Sequence, residues 1–324
     1  MSKLHLIVKL LNSSINSPQR SKRPLGGLAC WVLLTIACVT GSATAQDEKP
    51  GDPDAVDAKV TYPRAVALSG EDLFVVDLDL PGIWKVSGEK RELYSMGTKL
   101  LRKPMNRPWS VVSHPGGGIL VGDSATREVY AIESAGAKAK PLTNGHIGIP
   151  MALAVSADGK TIYVGDAEKR AVLSIPIDGV PLDDDGKIVN GKEPKFVARV
   201  NARALSFDED GGLWAITPDA AAVQKIDVSV DDPEKSFKTV VGDRPYQFPN
   251  GLVWVGDHGY VTDGYGKSIW KFTADGKTEK WYEGDALGGP VGITANDKSV
   301  FVADPKKKQI LEFDRETKKV TERL

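Results

Sequence analysis

Apolar residues in this chain come in short alternating runs, and most runs end at a turn rich in glycine or aspartate. Alternation with a period of two is typical of β-strands that bury one face, and the turn residues between the runs mark hairpins. No segment carries a convincing helical stripe. The pattern therefore predicts an all-β protein that is built from many short antiparallel strands.

The runs recur as a unit. Each copy has a corner with a small residue or proline, an apolar strand, a Gly/Asp turn, a second apolar strand and, in most copies, a terminal aspartate. A third apolar strand and a more polar fourth segment follow. The six copies begin with the segments 63–77, 108–123, 150–166, 202–218, 249–263 and 290–304.

The spacing of the copies selects an architecture. Their starts lie 41 to 52 residues apart, and the longest interval holds a polar insertion over 179–195. A four-stranded sheet repeated at this period is typical of a propeller blade. We predict a six-bladed β-propeller over 59–324, with four antiparallel strands per blade. Two β-sandwiches of about 140 residues each are a weaker alternative. Ring closure stays open, because 59–62 could add a strand to the last blade.

Residues 1–45 differ from the repeats. They hold five basic residues and no acid, an apolar run over 26–41, and then Ala43-Thr44-Ala45 before Gln46. This order is typical of a cleaved signal peptide, and the run is shorter than a membrane span. We expect a secreted or periplasmic mature chain with no transmembrane segment; a lipoprotein anchored at Cys38 is a weaker alternative. Residues 46–58 are expected to be a disordered N-terminus.

Removal of this leader changes what the composition allows. Both cysteines, Cys30 and Cys38, lie within it, so the mature chain has no disulfide, no cysteine zinc ligand and no thiol nucleophile. The loss of five basic residues and no acid changes the formal charge from −1 to −6. This balance gives no reason to expect nucleic acid as a partner. We expect a monomer.

Two sets of residues share one face of such a propeller: the corners of the repeats and the aspartates that end the second strands. The aspartates recur in five blades, which favours a structural role for each carboxylate in holding backbone N–H groups. Binding of cations around the mouth is the alternative. The set comprises Asp77, Asp123, Asp166, Asp263 and Asp304.

The corner residues, in contrast, differ from blade to blade, and variation on a repeated frame is where a binding site is expected. Arg64 and Arg203 are three blades apart, so in a six-fold ring they face each other. Two converging guanidinium groups could clamp a carboxylate or phosphate; pairing of each with a terminal aspartate is the other interpretation, and the sequence leaves both open. The corner positions are Arg64, Trp109, Met151, Arg203, Asn250 and Val291.

We therefore predict that a small-molecule or protein ligand binds at the mouth of the channel. The alternative is that side chains only pack along the central channel and that no ligand binds there. The candidate ligand-binding residues are Arg64, Trp109, Asp123, Arg203, Tyr246, Asn250 and Asp263.

The repeat resembles the NHL-repeat and regucalcin/gluconolactonase class of six-bladed propellers, most clearly at PNGLVWVGDHGYVTDGYGKSIWKF (249–272). The resemblance implies that Asn250 is a ligand of a divalent metal such as calcium. A metal-dependent enzyme would draw further ligands from Asp263, a weak candidate, and from Asp304, a weaker one. The acidic positions of the family's metal site are Arg64 and Val291 here. Two hypotheses follow: a non-catalytic binding module or, alternatively, a divergent gluconolactonase-like hydrolase that uses a divalent metal.

Overall fold

The computed structural model describes residues 59–79, 82–100, 102–220 and 222–324. The predicted signal peptide (1–45) and the predicted disordered segment (46–58) lie outside these residues. The described residues form six four-stranded antiparallel sheets. They contain no helix that is long and apolar enough to cross a membrane.

The strands follow one another in chain order, four to a blade. Blade 1 contains β1 (Pro63–Ser69), β2 (Asp72–Asp77), β3 (Gly82–Ser87) and β4 (Lys90–Met96). Blade 2 contains β5 (Pro108–Ser113), β6 (Ile119–Asp123), β7 (Glu128–Ile132) and β8 (Lys140–Pro141). Blade 3 contains β9 (Pro150–Val155), β10 (Thr161–Asp166), β11 (Ala171–Pro176) and β12 (Lys195–Ala198).

The second half of the ring repeats this arrangement. Blade 4 contains β13 (Ala204–Phe207), β14 (Leu213–Ile216), β15 (Val223–Ile226) and β16 (Phe237–Val241). Blade 5 contains β17 (Pro249–Val255), β18 (His258–Asp263), β19 (Ser268–Thr273) and β20 (Thr278–Glu283). Blade 6 contains β21 (Ile293–Ala295), β22 (Ser299–Asp304), β23 (Gln309–Asp314) and β24 (Val320–Glu322).

The predicted fold class is confirmed: the chain is a six-bladed β-propeller, and each strand of a blade pairs with its neighbour in the sequence. The two-sandwich alternative is wrong, because six separate sheets are present. The apolar faces of the blades pack against one another and form the core. Phe74 of blade 1, for example, packs with Val111 and Val121 of blade 2 in one buried cluster.

The ring closes between blades 6 and 1 by side-chain packing. Val66 and Val75 of blade 1 share a buried cluster with Phe301 and Ala303 of blade 6, and Val60 joins it. All four strands of blade 6 come from the C-terminal part of the chain, and 59–62 form no strand of their own. The question that the sequence left open is thereby answered.

The centre of the ring is crowded enough to select glycine at particular positions. A Cβ on Gly251 would lie 2.4 Å from the carbonyl oxygen of Val291, and a Cβ on Gly292 would lie 2.7 Å from the Cα of Ala65. In both cases the obstacle is the backbone of the next blade, which cannot move aside. These glycines follow the corner residues Asn250 and Val291, so close packing of the inner strands fixes where the corner side chains lie.

Candidate functional site

The six corner residues line one central cavity with a volume of about 300 Å³. The inner strands β1, β5, β9, β13 and β17, together with the segment 291–294, form its walls. Four of the predicted ligand-binding residues lie on this lining, namely Arg64, Trp109, Arg203 and Asn250. The cavity lining does not include Asp123, Tyr246 or Asp263. The two carboxylates bind backbone N–H groups, and Tyr246 is buried between two blades.

A β-bulge aims the corner side chain in four of the six blades. The pairing of β1 with β2 shifts register between Pro63 and Ala65, which leaves Arg64 out of the ladder. The same shift occurs at Trp109, at Met151, and at Asn250 with Gly251. A bulge inserts an unpaired residue and re-aims its side chain, and bulges are frequent beside binding sites. In these four blades the bulge therefore turns the corner residue towards the channel.

Arg64 is the most buried charged residue of the cavity lining, with 8% of its surface exposed. Its guanidinium carbon lies 4.5 Å from the ring centroid of Trp109, which is a cation–π contact. Burial lowers the pKa of Arg64 to about 10; the nearby Tyr62 opposes this shift and the positive charge of Arg203 adds to it. Arg64 thus carries a positive charge at neutral pH in a place that disfavours charge.

Arg203 repeats this arrangement in blade 4. Its guanidinium carbon lies 4.5 Å from the ring centroid of Phe248, and its Nη1 donates a long hydrogen bond of 3.5 Å to the carbonyl of Pro249. Burial lowers the pKa of Arg203, while Asp219 and Tyr265 act to raise it. Both arginines line the same cavity, and the like charge of Arg203 acts to lower the pKa of Arg64.

The ring of Phe248, which lies under Arg203, contacts a second aromatic ring closer to the surface. Phe248 stacks on Tyr265 with ring centroids 4.5 Å apart and an interplanar angle of 20°, and Tyr265 is 66% exposed. On the other side of the mouth, Arg107 lies 5.6 Å from the centroid of Trp109. Phe248, Tyr265 and Arg107 were not among the predicted site residues, although the sequence places the loops 101–108 and 242–248, which contain Arg107 and Phe248, near this face. The signal for Tyr265 was an aromatic residue in a turn that is polar in most other blades.

The terminal aspartates bind backbone rather than facing the cavity. Asp123 is fully buried and accepts hydrogen bonds from the backbone N–H groups of Asn106, Arg107, Ala125 and Thr126, at 2.6 to 3.2 Å. Each carboxylate therefore ties the loop before the first strand to the turn after the second. This geometry supports the structural interpretation of the set. The same kind of bond is made by Asp77, Asp166, Asp263 and Asp304.

Tyr246 also lies behind the cavity. It is 2% exposed and packs edge-on against Trp270, with ring centroids 5.6 Å apart. Burial raises its pKa to about 12. Tyr246 is part of the buried cluster between blades 4 and 5 that also contains Trp214 and Val241. Its position therefore supports the loop that carries Phe248 instead of facing a ligand.

The donors near Asn250 do not suit a divalent cation. The Asn250 amide donates to the carbonyl of Phe248 at 3.2 Å. The carboxylate of Asp263 accepts from the N–H groups of Gln247, Phe248 and Gly266, at 2.8 to 3.0 Å. Calcium needs six to eight oxygen ligands, mainly carboxylate, whereas this lining carries two cations. The described residues contain no group of three or more His, Cys, Asp and Glu that could hold a metal.

Comparison with known proteins supports the fold class. No family model matches the chain, and no curated protein sequence matches it. A nidogen/laminin complex is 14% identical with a TM-score of 0.60, covering 75% of this chain and 89% of that chain. Virginiamycin B lyase from Staphylococcus aureus is 15% identical with a TM-score of 0.55, covering 82% and 84%.

A third similar structure is the PQQ-bound aldose sugar dehydrogenase from Streptomyces coelicolor, which is 13% identical with a TM-score of 0.56 and covers 79% of this chain and 96% of that chain. At these identities the likeness is one of fold alone. The three proteins differ in function according to their names, so the comparisons agree with the predicted class of propeller without selecting an activity.

Proposed function

We propose that this propeller is a ligand-binding module and that its ligand is a small molecule held in the central cavity. The observation that carries the proposal is that all six corner residues line one cavity of about 300 Å³, and that bulges turn four of them towards it. That volume lies at the lower end of the range typical of small-molecule sites. Apolar walls with a few convergent polar groups, here Arg64, Arg203 and Asn250, are the usual make-up of such sites.

Met151 offers a way to test the proposal. It lines the cavity and is half-buried, so Met151→Trp adds bulk inside the channel. The control is Met96→Trp, at a residue that is 51% exposed on β4 and outside the cavity. A panel of sugars, organic acids, amino acids and nucleotides would be screened by thermal shift on all three proteins.

We expect at least one compound to raise the melting temperature of the wild-type protein and of Met96→Trp but not that of Met151→Trp. A panel without any such compound, or a shift that persists in Met151→Trp, would contradict binding in the cavity. The alternative is that a protein partner binds the stacked pair of Phe248 and exposed Tyr265 at the mouth of the channel. Binding of such a partner would persist in Met151→Trp.

The hydrolase alternative makes a different prediction. A divergent gluconolactonase-like enzyme would hydrolyse lactones with calcium or another divalent cation, stop when EDTA is added, and lose turnover in Asn250→Ala. The hydrogen bonds around Asp263 and the positive charge of Arg64 and Arg203 favour the binding module. Metal-dependent turnover with these properties would replace it.

We also propose that the module acts outside the cytoplasm, in the periplasm or beyond. The pattern of residues 1–45 supports this. Expression of the full chain followed by fractionation and N-terminal sequencing is the test. A mature protein that begins at Gln46 is expected, and an uncleaved cytoplasmic protein would overturn the proposal.

A further inference from the structure

The charge of the central cavity is unbalanced. Its lining includes two arginines, Arg64 and Arg203, and no aspartate or glutamate among the described residues. Arg64 makes no ion pair and no side-chain hydrogen bond within the described part of the chain, although only 8% of its surface is exposed. Burial of a charge without a partner is costly, and such groups are usually paired.

The terminal aspartates and Asp219 already accept other hydrogen bonds. The terminal aspartates of blades 1, 2, 3, 5 and 6 accept hydrogen bonds from backbone N–H groups of the surrounding loops. Asp219, whose charge acts on Arg203, accepts hydrogen bonds from Arg170 at 2.7 Å and from Asn201 at 3.1 Å. Within the part of the chain that the structure describes, no carboxylate of the cavity lining neutralises Arg64.

Both guanidinium groups lie over aromatic rings. Each carbon Cζ lies 4.5 Å from a ring centroid, of Trp109 for Arg64 and of Phe248 for Arg203. Stacking uses the flat face of the guanidinium and leaves its N–H edge free to donate. A fork of N–H donors that is already oriented matches the two oxygens of a carboxylate or the oxygens of a phosphate.

We propose that the cavity is an oxyanion site, in which a carboxylate or phosphate group of the ligand is bound between Arg64 and Arg203. This inference rests on the proposed function, because it names the chemical class of the ligand that the cavity takes. An anion placed there supplies the missing counter-charge of Arg64 and removes the repulsion between the two cations. The small volume selects a compact molecule rather than a polymeric anion.

Arg199 is a matched control within the same chain. Its guanidinium carbon also lies 4.5 Å from a ring centroid, that of Phe196, but it lies at the outer edge of blade 3 and pairs with Glu234. It shares the aromatic stacking of the channel arginines and lacks their place in the cavity. Loss of Arg199 therefore reports what stacking and overall charge contribute without the site.

The experiment is isothermal titration calorimetry with inorganic phosphate and, separately, with malonate, at constant ionic strength. The protein is expressed as the full chain. We expect binding of at least one anion to wild type and to Arg199→Met. Arg64→Met and Arg203→Met should each weaken it by about tenfold to a hundredfold, as expected for loss of a charge-assisted hydrogen bond. Arg64→Lys, which keeps the charge without the fork, should bind more tightly than Arg64→Met.

The two probes distinguish the sources of the oxyanion: preference for phosphate indicates a phosphate ester, and preference for malonate indicates a carboxylic acid. Circular dichroism and the melting temperature would confirm that each variant is folded. Anion binding that persists unchanged in both Arg64→Met and Arg203→Met would overturn the inference. So would neutral ligands that bind in the cavity while neither anion does, a result that leaves the proposed function standing. Failure of every ligand in the Met151→Trp comparison would remove the proposed function itself.

Discussion

Two sets of residues at the same mouth of the propeller have opposite patterns. The aspartates that end the second strands recur in five blades, whereas the corner residues, which follow the residues paired with these aspartates, change from blade to blade. Pro63 pairs with Asp77, Pro108 with Asp123, and Pro249 with Asp263, so the two sets are neighbours in space. The recurring carboxylates bind backbone N–H groups, and the varying side chains line the cavity.

The difference teaches how the repeat builds a site. A carboxylate that holds two loops does the same job in every blade, so it can recur around the ring. Its oxygens are then occupied, and it no longer neutralises a cation in the channel. The corner residue, which a bulge frees from the ladder in four of the blades, can differ from blade to blade. The same arrangement that stabilises the loops therefore leaves Arg64 without a carboxylate partner among the described residues.

The largest expected effect comes from breaking one member of the recurring set. Asp166 is fully buried and accepts hydrogen bonds from the N–H groups of Gly148, Ile149, Glu168 and Lys169, at 2.6 to 3.1 Å. Asp166→Ala should lower the free energy of unfolding by roughly 1–3 kcal/mol, because buried donors lose their acceptor. Urea unfolding measures it.

Asp158 is the control for this prediction. It lies in the same blade, at the other end of the hairpin, where it is exposed and accepts from Ser156 and the N–H group of Lys160. Asp158→Ala should leave the free energy of unfolding nearly unchanged, because surface substitutions of this kind have small effects. Equal effects of the two substitutions would break the distinction between buried and exposed caps.

The fold could be predicted from the sequence because its signals are local. Strand alternation, Gly/Asp hairpins and a terminal aspartate repeat within each unit, so six imperfect copies reinforce one another. The corners could be predicted for the same reason. Arg64, Trp109, Arg203 and Asn250 occupy one fixed position of the frame, and the structure places all four on the cavity lining.

The rest of the site depends on directions that the repeat does not encode. Asp123 and Asp263 lie one ladder step from the corners, yet their carboxylates turn to backbone N–H groups. Tyr246 is close to Phe248 in sequence but packs into the layer between two blades. The stacking of Phe248 on Tyr265 joins two separate loops, so no single segment of sequence reveals it.

Blade 4 offers a second test, because Pro218 stands where the other blades have the terminal aspartate. In this blade a carboxylate at the opposite face, Asp208, accepts hydrogen bonds from Trp214 Nε1 and Lys225 Nζ, both at 2.8 Å. Burial acts to raise the pKa of Asp208, but these bonds outweigh it and the pKa lies below its ordinary value. Asp208→Asn should therefore lower the free energy of unfolding at pH 7, by about 1–2 kcal/mol.

The pH dependence of this effect has a definite sign. A carboxyl group whose pKa is lower in the folded state stabilises the fold above the ordinary aspartate pKa of about 3.9, and that stabilisation is lost as the pH falls through the folded pKa. The difference in free energy of unfolding between wild type and Asp208→Asn should stay constant from pH 7 to about pH 5 and should vanish in more acidic solution. A gap that widens in acid would show that another group is responsible.

A smaller effect of opposite sign is expected at the corner. Arg64→Met replaces a buried cation that has no acidic partner among the described residues by an apolar side chain of similar length. It should raise the free energy of unfolding by about 1 kcal/mol, because desolvation of an unpaired charge costs more than its contact with Trp109 returns. Chemical unfolding without added phosphate or carboxylate is the measurement. A loss of stability comparable with that of Asp166→Ala would place Arg64 among the structural residues and erase the contrast between the two sets.

The smallest effect is expected at Arg199. It lies over an aromatic ring at the same distance as Arg64, but it is exposed and pairs with an acid. Its ion pair with Glu234 has a distance of 3.4 Å, and the two side chains are 45% and 70% exposed. Water screens such a pair, so Arg199→Gln should change the free energy of unfolding by less than about 0.5 kcal/mol. The same unfolding assay compares it with Arg64→Met. A stabilisation of Arg199→Gln equal to that of Arg64→Met would mean that stacking on an aromatic ring, and not burial in an acid-free cavity, governs the energetics of both arginines.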